Sequence, residues 1–317
     1  MAARTDTLIR IDPASGKVTS GVSVSGRPAA VTTCVGSVFV ASLDGYVFEV
    51  DPRTSKPNPI FIGATPGDIA HVGGLAVAVR GKAKSSVTVI DATYGGISDV
   101  IALPGAPSVS ASVATYGQDV WVANPSSHEL ERIGSPYTGI AERIPLPAPK
   151  STGTEGYAGV AAGAGAVWVA GNDAQRRVWR VDPSTRRVTP IDLPFAPRAI
   201  AAGLGGVWVV DRKGGAVVRL DPATGRITKR VPVGLGPVAV SLGADSVWVA
   251  NQLSGTVSRI DPKLFTVHDT SVGTDPVDLA VGLGAVWVVR RTTRRVVRRS
   301  EERRVGKECR SRWSPYH

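Results

Sequence analysis

Histidine, the side chain most often used for acid–base chemistry, is scarce in this chain. It occurs four times, at His71, His128, His268 and His317. His128 is followed by Glu129, and a histidine beside a carboxylate can act as a general base or as a metal ligand. Adjacent side chains on an extended strand point in opposite directions, which argues against joint action. A plain surface loop is therefore the simpler interpretation of this pair.

The remaining candidates lie where the sequence departs from its own repeating pattern. Function in repeat proteins tends to be found on variable loops at one face, so we expect polar side chains there to contact a small ligand or a protein. The binding candidates are Asn124, His128, Lys150, Glu155, Asn172, Asp173, Asp211 and Asn251. No catalytic or metal-binding residue and no cofactor is predicted, because no phosphate loop, nucleophile elbow, HExxH or paired-cysteine motif occurs.

The repeating pattern is a Val-Trp-Val core that returns about every 40 residues, a spacing that indicates a repeat architecture. Most copies are followed by an aliphatic residue, Asp and Pro. Weaker copies are centred on Phe39 and Ala76. The full copies are Val120-Trp121-Val122, Val167-Trp168-Val169, Val207-Trp208-Val209, Val247-Trp248-Val249 and Val286-Trp287-Val288.

One unit, residues 236–274, predicts four short strands and no helix. Its apolar runs are rich in β-branched residues and are separated by turn residues. The predicted strands are Val238–Leu242, Ser246–Ala250, Thr256–Ile260 and Thr266–Val272. Four antiparallel strands repeated radially form the blade of a β-propeller.

Two conspicuous residue types are interpreted structurally. The Asp-Pro-x-Thr-Gly run, clearest at Leu220 to Gly225, predicts a hairpin in which the carboxylate accepts a backbone N–H and Gly225 is left-handed. Val-Trp-Val is apolar on both faces, as expected of a strand between two neighbouring blades. We expect turn formation and packing from these residues; metal or ligand binding by Asp and ligand stacking by Trp are the alternatives.

The predicted fold class is all-β, a seven-bladed propeller of four-stranded antiparallel blades. Six units are complete, at 26–63, 64–105, 106–150, 151–195, 196–235 and 236–274. The seventh has its first two strands at 277–281 and 285–289. We expect Thr7–Ile11 and Lys17–Val24 to supply its third and fourth strands. Such a blade shared between the termini removes exposed sheet edges.

The repeat pattern breaks after Arg298. Residues 1–298 form the expected propeller, which we predict to be truncated at its C-terminus and open to truncation at its N-terminus. Residues 299–317 resemble a translated sequencing-library adapter, so we expect a non-native, disordered tail. Domains fused to the propeller would lie outside this fragment.

Composition limits the classes of partner. The formal charge is +11, but residues 290–317 contribute +8 of it, which leaves +3 for residues 1–289. We therefore expect the propeller itself to bind no nucleic acid and no membrane. With Cys309 assigned to the tail, only Cys34 remains, so no intrachain disulfide is expected. No signal peptide or apolar span occurs, and cytoplasmic and exported locations both stay open.

The repeat resembles bacterial YVTN/YncE-like and streptogramin-lyase-like (virginiamycin B lyase) propellers. The residues that carry the likeness are Val-Trp-Val-Ala-Asn, Gly-Thr-Val-Ser-Arg-Ile-Asp-Pro and Pro-Val-Ala-Val-Ser-Leu-Gly of residues 237–262. The lyase family implies a histidine, a carboxylate-held Mg²⁺ and an elimination reaction. In this chain Ala or Val replaces the threonine that follows the tryptophan motif, and Asn124, Gly171, Asp211, Asn251 or Arg290 replaces the glutamate.

Two functions follow from these observations. The first is a non-catalytic binding, sensing or scaffold propeller whose channel-side loops recognise an unidentified small ligand or protein. The alternative is a Mg-dependent streptogramin-lyase-like enzyme, a carbon–oxygen lyase. A histidine converging with two carboxylates at one end of the channel would favour the alternative.

Overall fold

The protein is a closed ring of seven four-stranded antiparallel sheets, so the predicted seven-bladed all-β propeller is confirmed. A computed structural model describes residues 7–63, 65–81, 85–105, 111–147, 157–172 and 175–291. The predicted tail therefore lies outside the described residues. No described segment forms a helix long and apolar enough to cross a membrane.

The strands are numbered along the chain. Blade 1 consists of β3 (Pro28–Cys34), β4 (Ser37–Ser42), β5 (Tyr46–Val50) and β6 (Pro57–Phe61). Blade 2 consists of β7 (Thr65–Val72), β8 (Leu75–Gly81), β9 (Ser86–Asp91) and β10 (Gly96–Ala102). Blade 3 consists of β11 (Ser112–Tyr116), β12 (Asp119–Asn124), β13 (Glu129–Ile133) and β14 (Glu142–Pro145).

The next three blades follow the same order. Blade 4 consists of β15 (Gly159–Gly163), β16 (Ala166–Ala170), β17 (Arg177–Val181) and β18 (Val188–Asp192). Blade 5 consists of β19 (Pro197–Gly203), β20 (Gly206–Asp211), β21 (Ala216–Leu220) and β22 (Ile227–Pro232). Blade 6 consists of β23 (Pro237–Gly243), β24 (Ser246–Asn251), β25 (Thr256–Ile260) and β26 (Val267–Ser271).

Blade 7 joins the two ends of the chain, as the repeat predicted. Its sheet order is β2 (Val18–Val22), β1 (Leu8–Ile11), β28 (Ala285–Arg290) and β27 (Pro276–Gly282). Leu8 pairs with Val289 across the junction between the termini. The ring therefore closes through backbone hydrogen bonds between the N-terminal and C-terminal strands.

The first strand of each blade forms the wall of the central channel. These seven strands contact one another around the ring, while the fourth strands are largely exposed. Every first strand starts at the same end of the channel, which we call the channel mouth. Second strands run the opposite way, so the turns between second and third strands also lie at that end.

The core lies between blades. Each of the hydrophobic clusters formed by described residues combines side chains of two adjacent blades. On β24, Trp248 packs toward blade 7, while Val247 and Val249 pack toward blade 5. The period of two along a strand places these neighbours on opposite faces, which explains why the motif is apolar throughout.

The tryptophans of the described strands are fully buried packing residues, as predicted for the Val-Trp-Val motif. In blades 4 to 7 the indole N–H donates to the carbonyl of the glycine that ends the first strand; Trp248 to Gly243 measures 3.1 Å. The arginine of the repeat lies across the strand pair and stacks on the indole, with Arg259 5.5 Å from the Trp248 ring centroid. This cation–π contact gives the arginine of the motif a structural role.

The Asp-Pro turns form between third and fourth strands, at the opposite end from the mouth. Asp221 Oδ1 accepts the backbone N–H groups of Ala223 (3.0 Å) and Thr224 (2.7 Å), and Gly225 has φ +71°. Hydrogen bonds from Thr224, first its N–H and then its hydroxyl, lower the pKa of Asp221. These contacts confirm the predicted hairpin.

Candidate functional site

A cavity of about 410 Å³ opens at the channel mouth, and its wall contains residues of all seven blades. Most of the wall consists of small side chains and backbone from the beginnings of the first strands. The described polar side chains that line it are Asp68, Ser112, Tyr157, Arg198 and Asp278. A cavity of this volume with a few converging polar groups is typical of a small-molecule site.

Two aspartates occupy the same position on the first strands of blades 2 and 7. Asp68 pairs with Val79 of β8, and Asp278 pairs with Val289 of β28, in matching registers next to a bulge. In blade 1, which lies between these two blades, Ala30 occupies the corresponding position. The two carboxylates therefore face the channel from either side of a single blade.

Each carboxylate also links its blade to the next one. Asp68 Oδ2 accepts the N–H of Val113 in blade 3 at 3.0 Å, and its Oδ1 accepts the N–H of Ile69 at 2.8 Å. Asp278 Oδ2 accepts the N–H of Val31 in blade 1 at 2.8 Å. Backbone N–H donors favour the ionised form of a carboxyl group, so these bonds hold the pair in place.

Burial opposes the effect of these hydrogen bonds, because it raises the pKa values of both carboxyl groups. Burial raises the pKa of Asp68 to about 6, although the N–H groups of Val113 and Ile69 lower it. Burial and then repulsion from Asp68 raise the pKa of Asp278 to about 7. Both residues are partly exposed, and they line the cavity. The pair thus changes charge near neutral pH.

Two further polar residues line other parts of the wall. Arg198 extends from blade 5 and is exposed to the cavity. Tyr157 precedes β15 and packs edge-on against Trp179, with ring centroids 5.8 Å apart. Its hydroxyl is buried and has no hydrogen-bond partner among the described residues. Burial raises the pKa of Tyr157, so this hydroxyl stays protonated.

The sequence-based candidates that the structure describes lie at the same end of the ring, one strand farther from the axis. Asn124 ends β12, is fully buried, and donates to Pro104 O (3.0 Å) and to Glu131 Oε1 (2.9 Å). Burial raises the pKa of Glu131. The amide of Asn124 is thus used to hold the turn of blade 3 together.

Asp211 and Asn251 occupy the position of Asn124 in blades 5 and 6. Asp211 accepts the N–H of Gly214 at 2.9 Å and pairs with Arg230 at 2.8 Å. Asn251 is fully buried and donates to Ser258 Oγ at 2.7 Å. None of these end-of-strand residues lines the cavity.

His128 takes a left-handed turn position with φ 55°, as Gly215 and Gly255 do in blades 5 and 6. In all three blades the carbonyl at this position accepts an N–H from just beyond the fourth strand; for His128 the donor is Leu146 at 2.8 Å. Asn172 is half-buried, and its N–H donates to Gln175 Oε1. The other three candidates, Lys150, Glu155 and Asp173, lie outside the described residues.

The other described histidines are away from the mouth. His268 lies in the outer strand β26, and His71 lies in the inner strand β7. His71 lies three residues after Asp68, and its Nδ1 is 3.3 Å from Thr32 Oγ1. Within the described part of the chain, no group of three or more His, Cys, Asp or Glu side chains could hold a metal ion.

The sequence interpretation missed Asp68 and Asp278. A signal was present, because the other blades carry small residues at this position. Those residues are Ala30, Ser112, Gly159, Ala199 and Ala239. The two aspartates become conspicuous only when the seven first strands are aligned by register. The predicted binding residues were instead taken from the loops.

Comparison with known proteins supports the fold and nothing narrower. No family model and no curated protein matches the chain. Among solved structures, Kuenenia stuttgartiensis hydrazine synthase is similar with a TM-score of 0.68 and 17% identity, over 84% of this chain and 90% of that one. Apo AztD from Citrobacter koseri is similar with a TM-score of 0.63 and 14% identity, over 90% and 96% respectively.

Proposed function

We propose that this protein is a non-catalytic binding or sensing propeller whose channel-mouth cavity holds a small molecule. The observation that carries the proposal is the pair of enclosed carboxylates, Asp68 and Asp278, in a cavity built by all seven blades. Enclosing two carboxylates raises their pKa values and costs folding free energy. Such groups in a cleft are typical of functional sites.

The proposed recognition site lies closer to the channel axis than the loop residues predicted from the sequence. Loops at the mouth supplied the first candidates, yet the described ones use their polar atoms within the turns. The proposed ligand instead contacts the channel wall. The repeat still supports placing the chain as a divergent relative of YVTN/YncE-like propellers, and that finer assignment is part of the proposal.

A filled cavity tests this function. Ala199 lines the cavity and carries a small side chain, so Ala199→Phe should obstruct it. Ala223→Phe makes the same change on an exposed turn and serves as the matched control. A metabolite library screened by thermal shift should give ligands that stabilise the wild type and the control but not Ala199→Phe. If every stabilising ligand acts equally on all three proteins, the proposed site is wrong.

A Mg-dependent lyase is the second candidate, and the two carboxylates at the mouth are what favours it. The expected histidine is missing from the described lining of the cavity. Calorimetric titration with Mg²⁺ and an assay for opening of a streptogramin lactone test this candidate directly. We rank it second because the lyase resemblance implies a histidine in addition to the carboxylates.

A further inference from the structure

The wall of the cavity has two chemically different sides, which the register of the first strands defines. Val31 and Val113 donate their N–H groups toward the channel, to Asp278 and Asp68. In an antiparallel pair, alternate residues direct both backbone groups away from the partner strand. The residues at the same register in the other blades therefore also direct an N–H group and a C=O group at the channel. They are Ile69, Val160, Ile200, Val240 and Leu279.

Carboxylates already occupy four of these N–H groups. Asp68 accepts from Ile69 and Val113, and Asp278 accepts from Val31 and Leu279. This side of the mouth, formed by blades 7, 1, 2 and 3, is thus acidic. Its backbone N–H groups already donate to the carboxylates, so this side presents two carboxylates to a ligand.

The opposite side has donors and no carboxylate among its described residues. Val160, Ile200 and Val240 of blades 4, 5 and 6 line the cavity, and Gly159, Ala199 and Ala239 precede them where the other side has aspartates. Arg198 adds a guanidinium on this side. Converging backbone N–H groups beside a cation favour an anion.

We propose that the channel mouth binds a small zwitterion, whose ammonium group lies between Asp68 and Asp278 and whose carboxylate meets the N–H groups of Val160, Ile200 and Val240. The inference rests on the proposed function, since it assumes that the cavity is the ligand site. Hydrogen bonds between charged groups are stronger than neutral ones. A ligand with a single charge leaves one side of the wall unmatched, which costs affinity.

The charge of the acidic side depends on pH. The described titratable groups that line the cavity are Asp68, Asp278, Tyr157 and Arg198. Tyr157 stays neutral, and an arginine stays charged throughout the accessible range. With pKa values of about 6 and about 7, both aspartates are mainly ionised at pH 8 and mainly protonated at pH 5. Affinity for the ammonium group should therefore fall as the pH decreases through about 7 and about 6.

Calorimetric titration of the full chain tests the proposal. The probes are β-alanine and 4-aminobutyrate, with ethylamine and propionate as ligands that carry only one of the two charges. At pH 8 we expect a zwitterion to bind about tenfold or more tightly than either single-charge ligand. Asp278→Asn, which keeps an acceptor oxygen and removes the charge, should weaken binding about tenfold. Asp221→Asn makes the same change on an outer turn and should leave binding unchanged.

Three results would overturn the inference. The first is that the zwitterions bind no better than ethylamine or propionate. The second is that Asp278→Asn and Asp68→Asn leave the affinity for the zwitterions unchanged. The third is that this affinity is equal at pH 8 and pH 5. If library ligands sensitive to Ala199→Phe exist while the zwitterions fail, the proposed function stands and this inference falls. If no ligand responds to Ala199→Phe, both fall. Unfolding curves of the Asn variants at pH 8 confirm that loss of binding is not loss of fold.

Discussion

Aspartates occur in two regions of this propeller with different surroundings. Asp221 and the matching turn residues, such as Asp261, lie partly exposed on outer turns, accept backbone N–H groups and have lowered pKa values. Asp68 and Asp278 also accept backbone N–H groups, yet burial raises their pKa values to about 6 and about 7. Local hydrogen bonds dominate where water remains, and loss of water dominates where the channel encloses the group. The outer turns therefore contribute to stability, whereas the enclosed carboxyl groups of the mouth lower it at neutral pH.

The largest expected effect lies in the packing frame. The frame consists of the buried side chains packed between neighbouring blades, such as Trp248. We expect these side chains, rather than those of the mouth, to stabilise the ring. Trp248→Ala removes a fully buried indole between blades 6 and 7 and should lower the free energy of unfolding by about 3–5 kcal/mol. Urea denaturation measures it. Leu253→Ala, at a side chain that is 71% exposed, should stay within about 0.5 kcal/mol.

The second effect has the opposite sign. A carboxyl group whose pKa is raised on folding contributes stability below its unfolded pKa of 3.8 and loses it as the pH rises through the folded pKa. The double variant Asp68→Asn/Asp278→Asn should therefore be more stable than the wild type at pH 8, by on the order of 2 kcal/mol. At pH 3.5 the two proteins should differ little. Chemical denaturation across this range measures the difference, and a variant that is destabilised at pH 8 would contradict our account of the mouth.

A smaller effect separates two tryptophans of the frame. The Trp248 indole N–H donates to Gly243 O, whereas Trp121 Nε1 is buried with no partner in the described part of the chain. Tyr116 of blade 3 stands where Gly243 stands in blade 6. Trp248→Phe should thus cost about 1 kcal/mol more than Trp121→Phe. Equal losses in matched urea curves would remove the hydrogen bond from the explanation.

The smallest effect belongs to the exposed turns. A carboxyl group with a lowered pKa contributes stability above its unfolded pKa and loses it as the pH falls through the folded value. Asp221→Asn should therefore lower the thermal midpoint slightly at pH 7 and by less as the pH falls, whereas the mouth variants should raise stability at pH 8. Thermal unfolding followed by circular dichroism measures both. A rise in the midpoint at pH 7 would place Asp221 in the same class as Asp278.

The repeat alone predicted most of the frame. Val-Trp-Val indicated strands with two apolar faces, and Asp221 to Gly225 indicated a hairpin, because both depend on neighbours a few residues apart. Matching Thr7–Ile11 to a third strand also predicted the shared blade, in which β1 spans Leu8–Ile11. The role of the repeat arginine was not predicted, since its stacking on tryptophan depends on cross-strand register.

The mouth required the tertiary structure. Asp68 and Asp278 are 210 positions apart in the chain, and only closure of the ring brings them to either side of blade 1. Their raised pKa values depend on enclosure by several blades, which no local pattern encodes. The buried partners of Asn124 and Asn251 likewise follow from packing. The sequence by itself determined the blades, their number and their turns through short-range chemistry; the tertiary structure decided which polar groups face one another, because that depends on how the blades close.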